Sequence, residues 1–274
     1  MKALTTGQVV ALSTAEAAAL STAQVAALTT AAVAALETAD LAALKTAAIA
    51  VLSTAQVSSL TTSQINNLAT SALAALSTAG IGALTTQQVV ALTSGQFASM
   101  STAQVAALTS NSIGAIETAD LTGLSTNHIA ALRSAQLAGL TTGQVASLST
   151  QQVVALTTAA FAGLSTAQIV ALTTAQASVL STAQVSALST AAIAALETAD
   201  FAALSTNAVV TLSVNQIKAL TSDQVVALTT TEAAALNSAQ VAALSVSAVA
   251  ALETATWPRS RPRSPTWAPR KWRP

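Results

Sequence analysis

Apolar residues recur along this chain every eight residues. Leu occupies position 4 and each eighth position after it to 252, replaced only by Met100 and Ile116. Five residues after each lies a second apolar position. Val9, Val25, Val33, Leu41, Ile49, Val57, Ile65, Phe97, Phe161 and Phe201 are among its occupants, and Ala17, Ala177 and Ala233 fill it most weakly. No insertion or deletion breaks this register. The cleanest copy is Leu20-Ser21-Thr22-Ala23-Gln24-Val25-Ala26-Ala27.

The polar residues between the two apolar positions are those of a helix start. Ser or Thr follows the Leu, and Gln comes three residues later, as in Ser21 and Gln24, Ser101 and Gln104, or Ser181 and Gln184. This spacing predicts a capping box. The hydroxyl accepts from the backbone N–H at N3, and the Gln side chain reaches back to the N–H of the cap. The Leu then stands at N′ and the Val at N4, the two positions of a hydrophobic staple.

One continuous helix does not fit the pattern. Eight residues at 3.6 per turn overshoot two turns by about 80°, so the Leu stripe would wind around the helix and never form one face. A chain that restarts its helix in every octad avoids this drift. Such helices are shorter than the ~12–15 residues that an isolated helix needs. Stacked neighbours must therefore bury the Ala-rich remainder and satisfy the backbone, as in other solenoids. The expected fold class is all-α: a superhelix of short self-capped helices, one per octad. The alternative is a β-solenoid, which the ladder of Thr14, Thr22, Thr30 and Thr38 would suit. Abundant Ala and Gln, scarce turn residues and apolar spacings of five and three speak against it.

A longer period is superimposed. Glu37-Thr38-Ala39-Asp40 returns as Glu117-Thr118-Ala119-Asp120 and Glu197-Thr198-Ala199-Asp200, ten octads apart each time. A fourth copy begins at Glu253, only seven octads after Glu197. Glu takes the place of the Ser cap in these octads. Either the preceding helix runs on there or the joint differs. The carboxylates also suit the positive end of a helix dipole.

The register defines one array over residues 1–255. It opens without a signal peptide or a capping unit, as if cut from a longer array. Residues 256–274 read differently. All three Trp, all five Pro and six of the ten basic residues lie in that tail, which by composition is a disordered segment. Thr256 to Arg263 can be encoded ACC TGG CCG CGC TCT CGA CCA CGC. With one G restored in front, the same bases read Asp-Leu-Ala-Ala-Leu-Ser-Thr-Thr, the expected sequel to Glu253-Thr254-Ala255. The tail is therefore read as a frameshift product, and its Trp, Arg and Lys are not taken as a nucleic-acid or membrane-binding segment.

Composition removes most chemistry. There is no Cys for disulfides or thiol catalysis, and every octad carries hydroxyls, so no apolar run is long enough for a transmembrane helix. His128 is the only histidine; it stands in a Gln slot and has no partner for a triad or a metal site. It is read as a variant cap position. The Glu and Asp pairs at 37/40, 117/120 and 197/200 would bind Ca²⁺ only if the solenoid brought them together, and no Asp/Asn/Gly-rich calcium loop is present. No catalytic, cofactor-binding or metal-ligating residue is assigned, and the chain is expected not to be an enzyme.

The Leu-Ser/Thr-Thr-Ala-Gln-Val-Ala-Ala array resembles the octapeptide repeats of very large bacterial secreted or surface proteins, often labelled adhesin-like or haem-utilisation-like. The resemblance covers residues 4–255. It implies an extracellular or cell-surface setting and a non-enzymatic role as spacer, stalk or scaffold within a larger protein. The alternative is a module that binds a protein or a cell-surface ligand through the Thr ladder or variable slots such as Asn66-Asn67 and Gln151-Gln152. Clustering of those slots on one face would favour binding, and scatter would favour a spacer.

Overall fold

The structure is a computed structural model that describes residues 4–256. These residues form a succession of short helices, one for nearly every octad, with no strand among them. The β-solenoid alternative is thereby excluded for the described residues. Thr22–Ala26, Thr54–Ser59, Thr86–Val90 and Thr182–Ala187 are typical members.

Most helices start as the octad predicts. Ser21 has an extended backbone, its side chain accepts from the N–H of Gln24, and Gln24 Oε1 accepts from the N–H of Ser21 at 2.9 Å. The same reciprocal pair recurs at Ser53 and Gln56, Thr85 and Gln88, and Ser181 and Gln184. Each helix ends without a left-handed residue; no described residue, Gly included, has positive φ. The repeated Leu supplies the stop instead. Its N–H closes one last three-residue turn, as Leu60 does onto Val57 at 3.2 Å, and its own backbone is extended, at φ −60 and ψ 140. That extended Leu delivers the next Ser or Thr as an N-cap. The octad is thus one helix turn or slightly more, plus one corner.

The corners wind the chain into a superhelix. Helix Thr54–Ser59 packs on Thr30–Ala35, three octads earlier, while its Gln56 side chain reaches Val25 and Leu28, around the end of the helix four octads earlier. Each helix therefore straddles two helices of the turn below, like bricks in running bond. The reach from Gln56 to Leu28 is 28 residues, or 3.5 octads of eight, and the same separation recurs from Gln64 to Leu36 through to Gln240 to Leu212. One turn of the superhelix therefore lies between three and four octads, about 28 residues.

The two apolar positions of the octad line the inside of the coil. The N4 residues Val25, Phe97, Phe161 and Val209 are fully buried, and the repeated Leu residues are nearly so. The Ala-rich remainder behaves differently from expectation. Ala26 and Ala42 are exposed, and Ala34, Ala35 and Ala107 are half-buried. Burial comes from the N4 side chain, the Leu and the N3 residue, which is buried where it is Ala too, as at Ala32 and Ala192. Ala at the helix end serves clearance, because there the backbones of successive turns nearly touch. A Cβ on Gly139 would collide with the carbonyl of Ser110, and one on Gly114 with the carbonyl of Gly139.

The acidic octads resolve the question of their joints. Helices start at Thr38 and Thr198 after extended Glu37 and Glu197, which make no side-chain cap bond, so there the preceding helix does not run on; at the fourth copy it does, because helix Val246–Thr256 passes through Glu253. The octad of Glu117 departs further and forms a 3₁₀ helix, Asp120–Gly123, in which Gly123 lies against the backbone of Ser94. The last described helix, Val246–Thr256, runs one residue past the proposed array boundary. The rest of the tail, 257–274, lies outside the described residues.

Candidate functional site

The chemically richest position in the octad is N3, normally Gln. Its amide makes two kinds of bond at once. Oε1 of Gln88 accepts from the cap N–H of Thr85 at 2.8 Å, while Nε2 donates to the carbonyls of Val57 at 2.9 Å and Leu60 at 2.7 Å in the turn below. Gln96, Gln144, Gln176 and Gln224 repeat the arrangement and are each almost fully buried. The carbonyls that accept are those a helix leaves without an internal donor at its C-terminal end. One amide therefore caps two helices, its own at the N-terminus and another at the C-terminus.

The cap half of this arrangement follows from the sequence; the downward half does not. A signal for it exists. A capping box needs only an acceptor at N3, so Glu would serve as well as Gln. The chain nonetheless uses Gln through most of its turns, a group that can also donate. Glu occupies N3 at Glu16, which has no described turn beneath it, and at Glu232.

His128 fills the same slot and reproduces both bonds. Nδ1 accepts from the N–H of Ser125 at 3.2 Å, and Nε2 lies 2.9 Å from the carbonyl of Met100, one turn earlier. Because Nδ1 accepts, Nε2 carries the proton and donates to Met100. The imidazole is buried and both nitrogens are engaged.

Asp40 and Asp200 are the misfits of the series. Both are buried in the N3 slot, and Oδ2 of each has no hydrogen-bond partner. Oδ1 of Asp200 accepts from Thr174 Oγ1 at 2.7 Å. Asp is one methylene shorter than Gln and offers only acceptors to a slot lined by carbonyl oxygens.

The three acidic octads do not converge. Their spacing of ten octads far exceeds the 28 to 31 residues that separate bonded positions on successive turns, so no two of them lie on adjoining turns. Among the described residues no group of three or more His, Cys, Asp or Glu could hold a metal ion. The variable slots are largely structural too. Asn66 Nδ2 donates to the carbonyl of Ala91 at 2.9 Å, Asn67 Nδ2 to that of Ser63 at 2.9 Å, and Gln152 to those of Leu121 and Leu124. Asn66, Asn67 and Gln151 are exposed, and Gln152 is buried.

Two adjoining shallow hollows flank the irregular 3₁₀ octad. One is lined mainly by hydroxyls, among them Thr122, Ser125, Ser147 and Ser149; the other by Thr126, Thr150, Gln151, Val154 and Val179. The hydroxyls are already committed. Thr122 donates to the carbonyl of Ala119, Ser147 donates to that of Gln144, and Ser125 and Ser149 cap their helices. No acid, base or metal ligand lines either hollow. Thr126 shares the second hollow with Thr150, the ladder residue three octads on, as well as with Val154.

Fold and side chains together define a helical solenoid repeat protein whose polar residues build the coil. The ALTTAQ repeat family matches the chain over residues 1–30, 33–70, 70–102, 113–150, 145–182, 153–190 and 193–230. The chain belongs to the ALTTAQ repeat family. No curated protein matches it.

Proposed function

We propose that this array is a structural, non-enzymatic segment of a larger secreted or cell-surface protein, where it acts as a spacer, stalk or scaffold. The observation that carries this reading is the engagement of the buried polar residues. Oδ2 of Asp40 and of Asp200 apart, the buried N3 side chains, the single imidazole among them, and the cap hydroxyls are hydrogen-bonded within the coil, and no acid–base pair or activated nucleophile is assembled among the described residues. The regular surface presents small side chains, and no helix among the described residues is long and apolar enough to cross a membrane. The resemblance to repeats of large bacterial surface proteins supports the external setting. With ten acidic and four basic residues in the array, nucleic acid is not an expected partner.

The second reading, a binding module, is favoured by one feature: the hollow of Thr126, Gln151, Val154 and Val179 beside the only 3₁₀ helix among the described residues. Protease treatment of intact cells, followed by detection with an antibody to the array, tests the setting. Release of array fragments before lysis agrees with a surface segment, and release only after lysis contradicts it. Deletion of residues 61–116, which is seven octads, about two turns, separates the roles. A spacer keeps its function at shorter reach. If the hollow is the functional part, ligand capture survives that deletion but is lost in Gln151→Arg.

A further inference from the structure

Two N3 slots bury a carboxylate that no described cation balances. Asp40 and Asp200 are each 2% exposed, and Oδ2 of each is buried without a hydrogen-bond partner. The stretches 5–44 and 165–204, each of which holds one of these residues and the turn beneath it, contain no Lys, Arg or His. An ionised carboxylate is far more costly to bury alone than an amide, so buried charges are paired or coordinate a cation. Glu37 and Glu197, three residues earlier, are exposed, so the buried charge to be balanced is one per slot.

The register defines what faces each slot. Nε2 of Gln168 donates to carbonyls 31 and 28 residues earlier at 2.8 and 2.7 Å, and Nε2 of Gln224 does the same at 2.8 and 2.9 Å. The equivalent carbonyls for Asp200 are those of Ile169 and Leu172. The bond from Thr174 Oγ1 to Asp200 Oδ1 at 2.7 Å sets the carboxylate at that same corner, two residues past Leu172. For Asp40 the corresponding residues are Val9, Leu12 and Thr14.

We propose that the Asp40 and Asp200 slots each bind a potassium ion, which takes the place that Nε2 holds in a Gln slot. Its ligands are Oδ2, the two carbonyls of the turn below and the Thr hydroxyl oxygen, which keeps a lone pair while its proton goes to Oδ1. Only one of the four is a carboxylate, so such a site needs no acidic or imidazole cluster. Charge and distance select the ion. One carboxylate balances one positive charge, and a divalent ion would leave a net charge inside the coil. The neighbouring slots hold their central atom 2.7–2.9 Å from the carbonyls. Ca²⁺ takes oxygen at about 2.3–2.6 Å and Mg²⁺ at about 2.0–2.1 Å, both shorter than that spacing. A large monovalent ion fits it, and carbonyl oxygens can replace the hydration shell of potassium. Asp120 is the internal contrast: it is half-buried in the 3₁₀ helix, and neither of its carboxylate oxygens is both buried and unpartnered. This inference goes beyond the spacer reading and does not depend on it.

The test is urea unfolding of the full chain in potassium chloride and in tetramethylammonium chloride at equal ionic strength. Once potassium exceeds its dissociation constant, each tenfold rise should raise the folded-to-unfolded ratio about tenfold per site. The double variant Asp40→Gln, Asp200→Gln should lose that dependence. In tetramethylammonium chloride it should be more stable than the parent, and potassium should narrow or reverse the difference. Asp120→Gln should keep the dependence. Equilibrium dialysis of the parent with rubidium, a potassium substitute, keeps the test decisive if the double variant fails to fold: about two ions per chain are expected, displaced by potassium. Equal potassium dependence in the parent and the double variant overturns the proposal as a general salt effect. A parent indifferent to potassium but stabilised by acid overturns it in favour of a proton in the slot. Indifference to both, with no rubidium bound, overturns it in favour of water. Stabilisation by Ca²⁺ at concentrations where potassium has no effect overturns the choice of ion.

Discussion

Gln88 donates from Nε2 to the carbonyl of Leu60 at 2.7 Å, across 28 residues of chain, while its Oε1 caps its own helix. This pairing makes local and long-range order a single event. A helix of five residues cannot hold itself together, and here its cap side chain is also the bolt to the previous turn.

Removal of that bolt should be costly. Gln88→Ala abolishes the cap bond and two inter-turn bonds, and leaves buried carbonyls unsatisfied. A loss of about 2–4 kcal/mol is expected by urea unfolding, given ~1–3 kcal/mol for a buried polar group left without its partner. Gln88→Glu keeps the cap and should still destabilise, because a carboxylate replaces the donor that faces two carbonyls. Equal stability of Gln88→Glu and the parent would show that the downward bonds contribute little.

The misfit slots should improve. Asp200→Gln and Asp40→Gln each remove a buried carboxylate oxygen with no partner and restore the reach of the standard side chain. A gain of about 1–2 kcal/mol per site is expected in chemical denaturation. The gain at Asp200 should be the smaller, because its bond from Thr174 is lost. Destabilisation at both sites would mean that these carboxylates have a partner the solenoid alone does not supply.

Glycines at turn contacts and glycines on open helix faces should respond oppositely to the same change. Gly139→Ala drives a methyl into the backbone of Ser110 and should cost about 1–3 kcal/mol. Gly143→Ala meets nothing within 4 Å and should be neutral or gain up to ~1 kcal/mol from helix propensity. Thermal melts of the two variants check this contrast.

Acid should loosen the first turn through Glu16. The backbone N–H of Ser13 donates to its carboxylate at 2.8 Å and the Ser13 hydroxyl at 2.7 Å, and these bonds hold its pKa below the ordinary value of 4.5. A depressed carboxyl stabilises the fold above its unfolded value, and that contribution is lost as pH falls through the folded value. Amide exchange around Ser13 should therefore accelerate in acid below pH 4.5 in the parent, and change less over the same range in Glu16→Gln. Identical acid responses in the two chains would contradict the assignment.

How much of this was legible in sequence follows from the range of each interaction. Caps and staples span three to five residues, so Ser21 with Gln24 and Leu20 with Val25 disclosed the octad helix directly. The role of His128 as a cap variant was also readable from its slot. The length of the superhelical turn was not, because it depends on the angle at each extended Leu corner, which a pattern of eight cannot express. The downward donation from Gln was hidden for the same reason, although the preference for Gln over Glu at N3 hinted at it. The 3₁₀ octad at Asp120–Gly123 escaped as well; its relatives at Asp40 and Asp200 share the acidic motif but have Ala at the position of Gly123.

The account stands most directly on the length of that turn, between three and four octads. Spin labels at positions 126 and 154, both on the surface and one turn apart, measure it by pulsed dipolar spectroscopy. Adjacent turns place the two backbones roughly one helix diameter apart, ~10 Å, so a narrow distribution at short distance is expected after the label arms are added. A continuous helix would separate them by about 42 Å, at ~1.5 Å per residue. A peak at that distance, or a broad coil-like distribution, would contradict the solenoid.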